Sequence, residues 1–366
     1  MLETGKAYTL KPYVGGRHPD SIPVPGCSSP WLSILVPVYN VGPYLRECVD
    51  SIVSQLDDEG VEIVLLDDAS TDVSRQICEQ ICEEYGANVR LFVHSCNRGL
   101  SAARNSLLDV AHGRYIWFLD SDDKLLPTAL AKLRDIVEVN APDIVLCDYS
   151  KKKRKRWSTF AGEVGRLQHD REALVRGVFA CRRMQIWSKI SKRELWGDDL
   201  RFPAGRYFED IAVTPWLLLR ARSYYYVPEA WVYYRIRPGS ILSSLSQSPK
   251  LFDDRKNADL AEALGGYSRL LKQELPHSGR QTLYYITRFY GIEFRKIGMR
   301  LVRARWRRDG WPSVSSQLYH YLEKMQGSVP FSFSQLGKEY LRRFKFGSWA
   351  LLQVFLLLAR PDDYVL

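Results

Sequence analysis

The chain lacks the devices that would mark a metal-thiolate, secreted or membrane-spanning protein. None of its seven cysteines (Cys27, Cys48, Cys78, Cys82, Cys96, Cys147 and Cys181) belongs to a Cys-x-x-Cys pair, and Cys78 and Cys82, at helical i,i+4 spacing, have no histidine nearby. They read as reduced core thiols rather than zinc ligands or a redox pair. Residues 1–30 are rich in Pro and Gly and contain no apolar h-region, so they read as neither a signal peptide nor an anchor, and a cytoplasmic protein is expected. An apolar run of about 11 residues around Gln353 is too short to span a bilayer. No internal repeat is visible, and the basic, glycine-rich phosphate turn of nucleotidyltransferases does not follow the first strand, where Pro37-Val38-Tyr39-Asn40 stands. What is present is 46% hydrophobic and 12% aromatic residues in a chain of 366, enough for a substantial core and unlike a disordered protein.

The net charge of +10 conceals a division. Residues 1–149 carry 12 Lys and Arg against 22 Asp and Glu, and the remainder carries 40 against 20, so the two parts stand at −10 and +20. In the acidic part, short branched or aromatic runs (33–38, 61–66, 89–93, 114–119 and 143–147) alternate with helical patterns. One such helix is marked by Leu45, Cys48, Val49, Ile52, Val53 and Leu56 with Pro43 in its first turn; others are expected at about 72–85, 101–111 and 127–139. This alternation predicts an α/β fold with a mostly parallel sheet, helices on both faces and a ligand site beyond the carboxyl ends of the strands.

Three strands end in polar clusters at that edge: Pro37 to Asn40, Asp67 to Asp72, and Asp120-Ser121-Asp122-Asp123. Taken alone, Asp67 or Asp68 would be a helix cap or turn residue. Converging carboxylates repel each other unless a cation, sugar hydroxyls or a base edge satisfies them. A hard divalent ion shared with substrate phosphates answers that requirement.

The segments SILVPVYNVGPYLRECVDSI, IVLLDDASTD and NRGLSAARNSLLDVAHGRYIWFLDSDD, in this order, resemble family 2 of the glycosyltransferases. The resemblance covers residues 31–245. It implies a GT-A-type, Rossmann-like sandwich with a nucleotide-binding part (31–149) and an acceptor-binding part (150–245), followed by a basic helical C-terminal region (246–366). It further implies Pro37 and Tyr39 lining a nucleobase pocket, Asp68 binding base or ribose, Asp120 approaching the ribose, and Asp122 ligating Mn²⁺ or Mg²⁺. A tyrosine face can stack on a base, and a carboxylate can accept from a uracil N–H or ribose hydroxyl. Arg104, in the SAARN element, would contact base or phosphates, or else lie on a helix surface.

An inverting displacement also needs a general base for the acceptor hydroxyl. The resemblance points to the Glu209-Asp210 pair and within it to Asp210, although a helix N-cap would sit at the same place. Trp187 would wall the acceptor cleft or pack the second half of the domain. Arg235, Arg237 and Ser240 are suited to phosphate oxygens in a closing loop, unless the arginines are a surface pair on an edge strand. The implied partners are a nucleotide-sugar donor, a UDP-sugar in the first instance, and a glycan or lipid-linked acceptor of bacterial surface polysaccharide synthesis.

Beyond residue 250 the resemblance fades. Residues 288–308 form a basic amphipathic pattern, and 345–361 are apolar with Trp349. That composition suits an anionic membrane interface, with Trp349, Leu351, Leu352, Phe355 and Leu356 in the headgroup boundary, and equally a helical subdomain packed on the catalytic domain or a homodimer partner. The run Lys151 to Arg156 (KKKRKR) lies at a strand exit, where an anionic acceptor or membrane is expected rather than nucleic acid. The competing classes are a nucleotidyltransferase acting on sugar phosphates, which lacks its phosphate turn here, and a basic nucleic-acid-binding protein, which leaves the aligned carboxylates without purpose.

Overall fold

Residues 11–12, 29–56, 60–152, 155–237 and 254–359 are described by a computed structural model. The acidic part contains β1 (Lys11–Pro12), β2 (Leu32–Val38), α1 (Gly42–Val53), β3 (Val61–Asp67), α2 (Ser74–Tyr85), β4 (Val89–Val93), α3 (Leu100–Val110) and β5 (Tyr115–Phe118). Every residue of β2, β3 and β5 is buried, which explains why these strands read as continuous rather than alternating apolar runs. Helix α1 buries Leu45, Cys48, Val49 and Ile52, one 3.6-period stripe, with Pro43 in its first turn.

Strands β4, β3, β2 and β5 lie side by side and parallel, with β1 antiparallel on the outside of β4. The chain leaves β2 to build β3 and β4 on one side and returns to place β5 on the other. The crevice beyond the ends of β2 and β5 is therefore a topological switch point, where open α/β sheets bind ligands.

The second part adds β6 (Lys124–Leu125), α4 (Ala129–Asn140), β7 (Ile144–Lys152), β8 (Lys155–Trp157), β9 (Leu167–Gln168), α5 (Arg171–Cys181), β10 (Lys189–Lys192), α6 (Glu209–Arg220) and β11 (Tyr224–Tyr233). Strand β10 is antiparallel to both β5 and β7, so β7 runs in the direction of β5. Its carboxyl end, with Lys151, reaches the same edge as Asp120.

Helices α7 (Arg255–Glu262), α8 (Tyr267–Glu274), α9 (Arg280–Gln326), α10 (Phe333–Arg342) and α11 (Phe346–Leu358) complete the described chain. Helix α9 bends at Gly310, whose φ of 77° breaks the helical path two residues before Pro312. One apolar core joins these helices to the sheet: Phe179 of α5 packs on Tyr267 and Phe289, each with ring centroids 5.7 Å away. The packed-subdomain alternative thus holds for one face of α11, and the membrane residue set is corrected. Leu352 and Phe355 are buried in protein, because Gly298 leaves room for the Phe355 ring; a Cβ there would lie 2.4 Å from it. The opposite face exposes Phe346, Leu351 and Val354, with Phe344 just before the helix. No described helix is long and apolar enough to cross a membrane.

Candidate active site

Arg104 answers the question raised by so much acid at one edge. It projects from α3 with only 1% of its surface exposed, donating from Nη2 to Asp120 Oδ1 (2.9 Å) and from Nη1 to Glu209 Oε1 (2.9 Å) and Asp210 Oδ1 (3.0 Å). Its guanidinium also lies 5.3 Å from the Phe202 ring centroid and 5.9 Å from that of Phe118. Burial disfavours the charged form, but Asp210, Asp120 and Glu209 outweigh it and raise the pKa above the usual arginine value. The surface-arginine alternative is excluded, and the head group is engaged by carboxylates.

Glu209 and Asp210 are the first two residues of α6, where the helix dipole favours negative charge. The N-cap is Phe208, in left-handed conformation (φ 62°), and neither acid caps the helix. The entry is pinned by Asn105, which donates to the Phe202 carbonyl and accepts from the Phe202 N–H, both at 2.8 Å. Burial pushes the Asp210 carboxyl up to about 7, with Glu209 and Asp120 acting in the same sense and Arg104 against it. Nearby Lys189 is buried and brought down to about 8 by desolvation, while its ammonium donates to the carbonyls of Arg183 and Gln185 and to Ser188 Oγ.

Asp122 and Asp123 meet the segment that follows β11. Arg235 donates its backbone N–H to Asp123 Oδ1 (2.8 Å) and its Nε to the Asp122 carbonyl (2.9 Å), and it ion-pairs with Glu47. Arg237 pairs through Nε with Asp122 Oδ2, and both guanidiniums cover the Tyr44 ring at 5.1 and 5.5 Å. Asp123 is buried, its Oδ2 has no partner among the described residues, and burial followed by the Asp120 charge pushes its carboxyl up to about 9. These hard oxygen donors, with one orphaned oxygen, fit Mg²⁺ or Mn²⁺. Among the described residues no three His, Cys, Asp or Glu side chains are placed to hold a metal ion by themselves, so phosphate and water oxygens would complete the shell, the usual arrangement for Mg²⁺.

Tyr39, 45% exposed, stands just past β2, and Pro37 is buried within that strand. Asp68 turns inward: its carboxylate meets His94 Nδ1 (2.6 Å) and accepts from the N–H groups of Arg98 (2.9 Å) and Gly99 (2.7 Å). Three of about four acceptor positions are thereby used in shaping the loop before α3. Trp187 is 2% exposed beneath Tyr149 and Tyr234, which corrects the cleft-wall alternative in favour of packing. Ser240 lies outside the described residues. Sequence reasoning passed over His94, Asn105, Glu47 and Lys189, of which Asn105 alone carried a signal, as the neighbour of Arg104 in SAARN.

Residues 33–184 match the family model described as Glycosyl transferase family 2. These residues are a glycosyltransferase family 2 domain. Among its relatives, glycosyltransferase GlyA of Streptococcus pneumoniae is 32% identical over 221 residues, 57% of this chain and 31% of GlyA. A poly(ribitol-phosphate) beta-glucosyltransferase of Bacillus spizizenii is 39% identical over 117 residues, 31% of this chain and 18% of that protein. The matches thus span about a third or less of these relatives' lengths. A solved structure of S. aureus TarS 1-349 in complex with UDP-GlcNAc overlays with a TM-score of 0.63 at 21% identity, covering 89% of this chain and 91% of that one. This likeness establishes the GT-A type fold with a helical C-terminal region.

Proposed function

We propose that this chain is an inverting glycosyltransferase that moves a sugar from a nucleotide-sugar, a UDP-sugar in the first instance, to a glycan or lipid-linked acceptor in bacterial surface polysaccharide synthesis. The observation that carries the reading is the single buried guanidinium of Arg104 gathering Asp120 from a strand end and the Glu209-Asp210 pair from a helix start. The GlyA similarity and the UDP-GlcNAc bound to TarS support it.

Asp210 accepts the proton of the acceptor hydroxyl as that oxygen bonds to the anomeric carbon. The bond from that carbon to the diphosphate oxygen breaks on the opposite face, its electron pair leaves on the nucleoside diphosphate, and configuration inverts. A base with a pKa near 7 suits this task at neutral pH. Arg104 keeps Asp210 aimed and favours its ionised form. Tyr39 offers an exposed ring to the base, with Pro37 beneath it and Asp120 near the ribose; Asp68 has one acceptor position left. Arg235 and Arg237 lie where a diphosphate oxygen could compete with Glu47 and Asp122 for them. Asp122 would hold Mn²⁺ or Mg²⁺, which supplies charge neutralisation to the leaving diphosphate.

Incubation with a panel of UDP-sugars, with and without Mn²⁺, tests the reading. Release of UDP is expected. Pyrophosphate release from sugar phosphate and UTP would instead assign a nucleotidyltransferase.

We also propose that the exposed face of α11 meets an anionic membrane surface on the cytoplasmic side. A helix apolar on nearly all sides normally has all sides covered, yet this one covers only half. Beside it Arg280, Arg342 and Arg343 share the one carboxylate of Glu339, and burial together with Arg288 and Arg343 lowers the Lys345 pKa. A two-fold partner would bring the same cations together, so anionic headgroups complement this face better than a second copy does.

A further inference from the structure

We infer that the cationic aromatic box at the exit of β7 is a binding subsite for a phosphodiester-linked polyol or sugar chain. Its role as the acceptor subsite rests on the transferase reading above. The floor of the box consists of buried Tyr149 and Trp187, edge to face with centroids 5.0 Å apart. Above them, Tyr234 stacks on Trp187 (6.0 Å, 24°) and Trp157 on Tyr149 (6.4 Å, 20°). Three cations sit on these rings. Lys151 Nζ is 4.9 Å from the Tyr234 centroid, 5.5 Å from that of Trp157 and 5.7 Å from that of Tyr149; Lys155 is 4.9 Å from Trp157; Arg183 is 5.5 Å from Trp157 and 5.9 Å from Tyr149.

Among the described residues, no carboxylate pairs with Lys151, Lys155 or Arg183, and Arg183 Nε is buried without a partner. Rings hold these head groups in place but leave their charge unneutralised. The box adjoins both halves of the active site. Tyr234 directly precedes Arg235, whose N–H binds Asp123, and Lys189, which feels the Asp210 charge, grips the carbonyls of Arg183 and Gln185. A ligand here would present a hydroxyl toward Asp210 while its anionic groups meet the three cations.

That geometry selects the ligand class. Aromatic faces accept the C–H faces of a polyol or sugar, but a neutral glycan leaves three cations without counter-charge. Phosphodiesters spaced along a hydroxyl-bearing chain satisfy rings and cations together.

The test titrates the full chain with oligo(glycerol phosphate), with maltohexaose and with a single-stranded oligonucleotide, read by calorimetry without any donor. Oligo(glycerol phosphate) should bind, weaken as salt rises, and bind about tenfold or more weakly to Lys151→Ala/Lys155→Ala and to Trp157→Ala, the loss expected for one or two charge-assisted contacts. Unchanged binding by folded variants, equal binding of maltohexaose, or tighter binding of the oligonucleotide overturns the proposal. UDP release is scored separately. If no UDP-sugar is consumed while the phosphate chain binds as stated, the transferase reading fails and the polyanion site stands.

Discussion

At the scale of single residues, the site is a charge balance in which one arginine serves three acids. Removing that arginine leaves buried carboxylates without compensation, so Arg104→Gln should cost about 3–5 kcal/mol of stability, seen as a lowered midpoint in thermal or urea unfolding. It should also move catalysis. With Asp210 as the proposed base, proton abstraction needs its ionised form, so kcat/KM for the acceptor should rise with pH through about 7 and then level. Arg104 lowers that pKa, and its loss should carry the rising limb to higher pH; a limb that stays in place assigns Arg104 to folding alone. Asp210→Asn should slow transfer by roughly 100- to 10,000-fold with UDP affinity nearly intact, the usual range for a lost general base. Glu209→Gln serves as the control, and equal losses of donor affinity and turnover would make Asp210 structural.

At the scale of elements, the question is what aims α6 at the strand ends. Asn105 exchanges two hydrogen bonds with the Phe202 backbone from across 97 residues, so Asn105→Ala should cost about 1–3 kcal/mol and lower turnover more than UDP affinity. Comparable losses in both would show that the staple supports the donor side as well. The turn after β5 offers a second test. Asp122→Asn should break the pair with Arg237 and remove the dependence of UDP affinity on Mn²⁺, measured by calorimetry with and without the metal. Retained metal-dependent affinity would take Asp122 out of the cation's shell.

At the scale of the molecule, one core runs from the sheet into α9, α10 and α11, so cutting the chain after Lys338 should strip cover from Gly298 and lower thermal stability rather than free an independent module. The exposed face of α11 can be probed without touching that core. Phe346→Ser/Val354→Ser should leave the unfolding midpoint nearly unchanged yet abolish binding to phosphatidylglycerol-containing vesicles, and native binding should weaken with salt because screening acts over about 8–10 Å at moderate ionic strength. Absence of vesicle binding by the native chain at low salt, or a dimer in light scattering that these substitutions dissociate, would assign the face to another copy.

Five of the strands (β2, β3, β4, β5 and β7), the first four helices and the gathering of acids beyond the strand ends were legible in the sequence, because hydrophobic period and strand-end chemistry are local and the switch-point rule turns them into a place. Glu209 and Asp210 were legible as a pair by resemblance. The task of Arg104 was not, since two of its three partners lie 105 and 106 residues away and depend on how Asn105 sets the start of α6. Nor could composition divide α11: nearly every position is apolar, and only the notch at Gly298 decides that Phe355 faces protein while Val354 faces outward. Trp187 went the same way, a large ring equally suited to a wall or a floor until Tyr149 and Tyr234 closed over it. Sequence determined which groups would be brought to the edge, and tertiary contact decided which of them point outward, because exposure depends on packing between segments far apart in the chain.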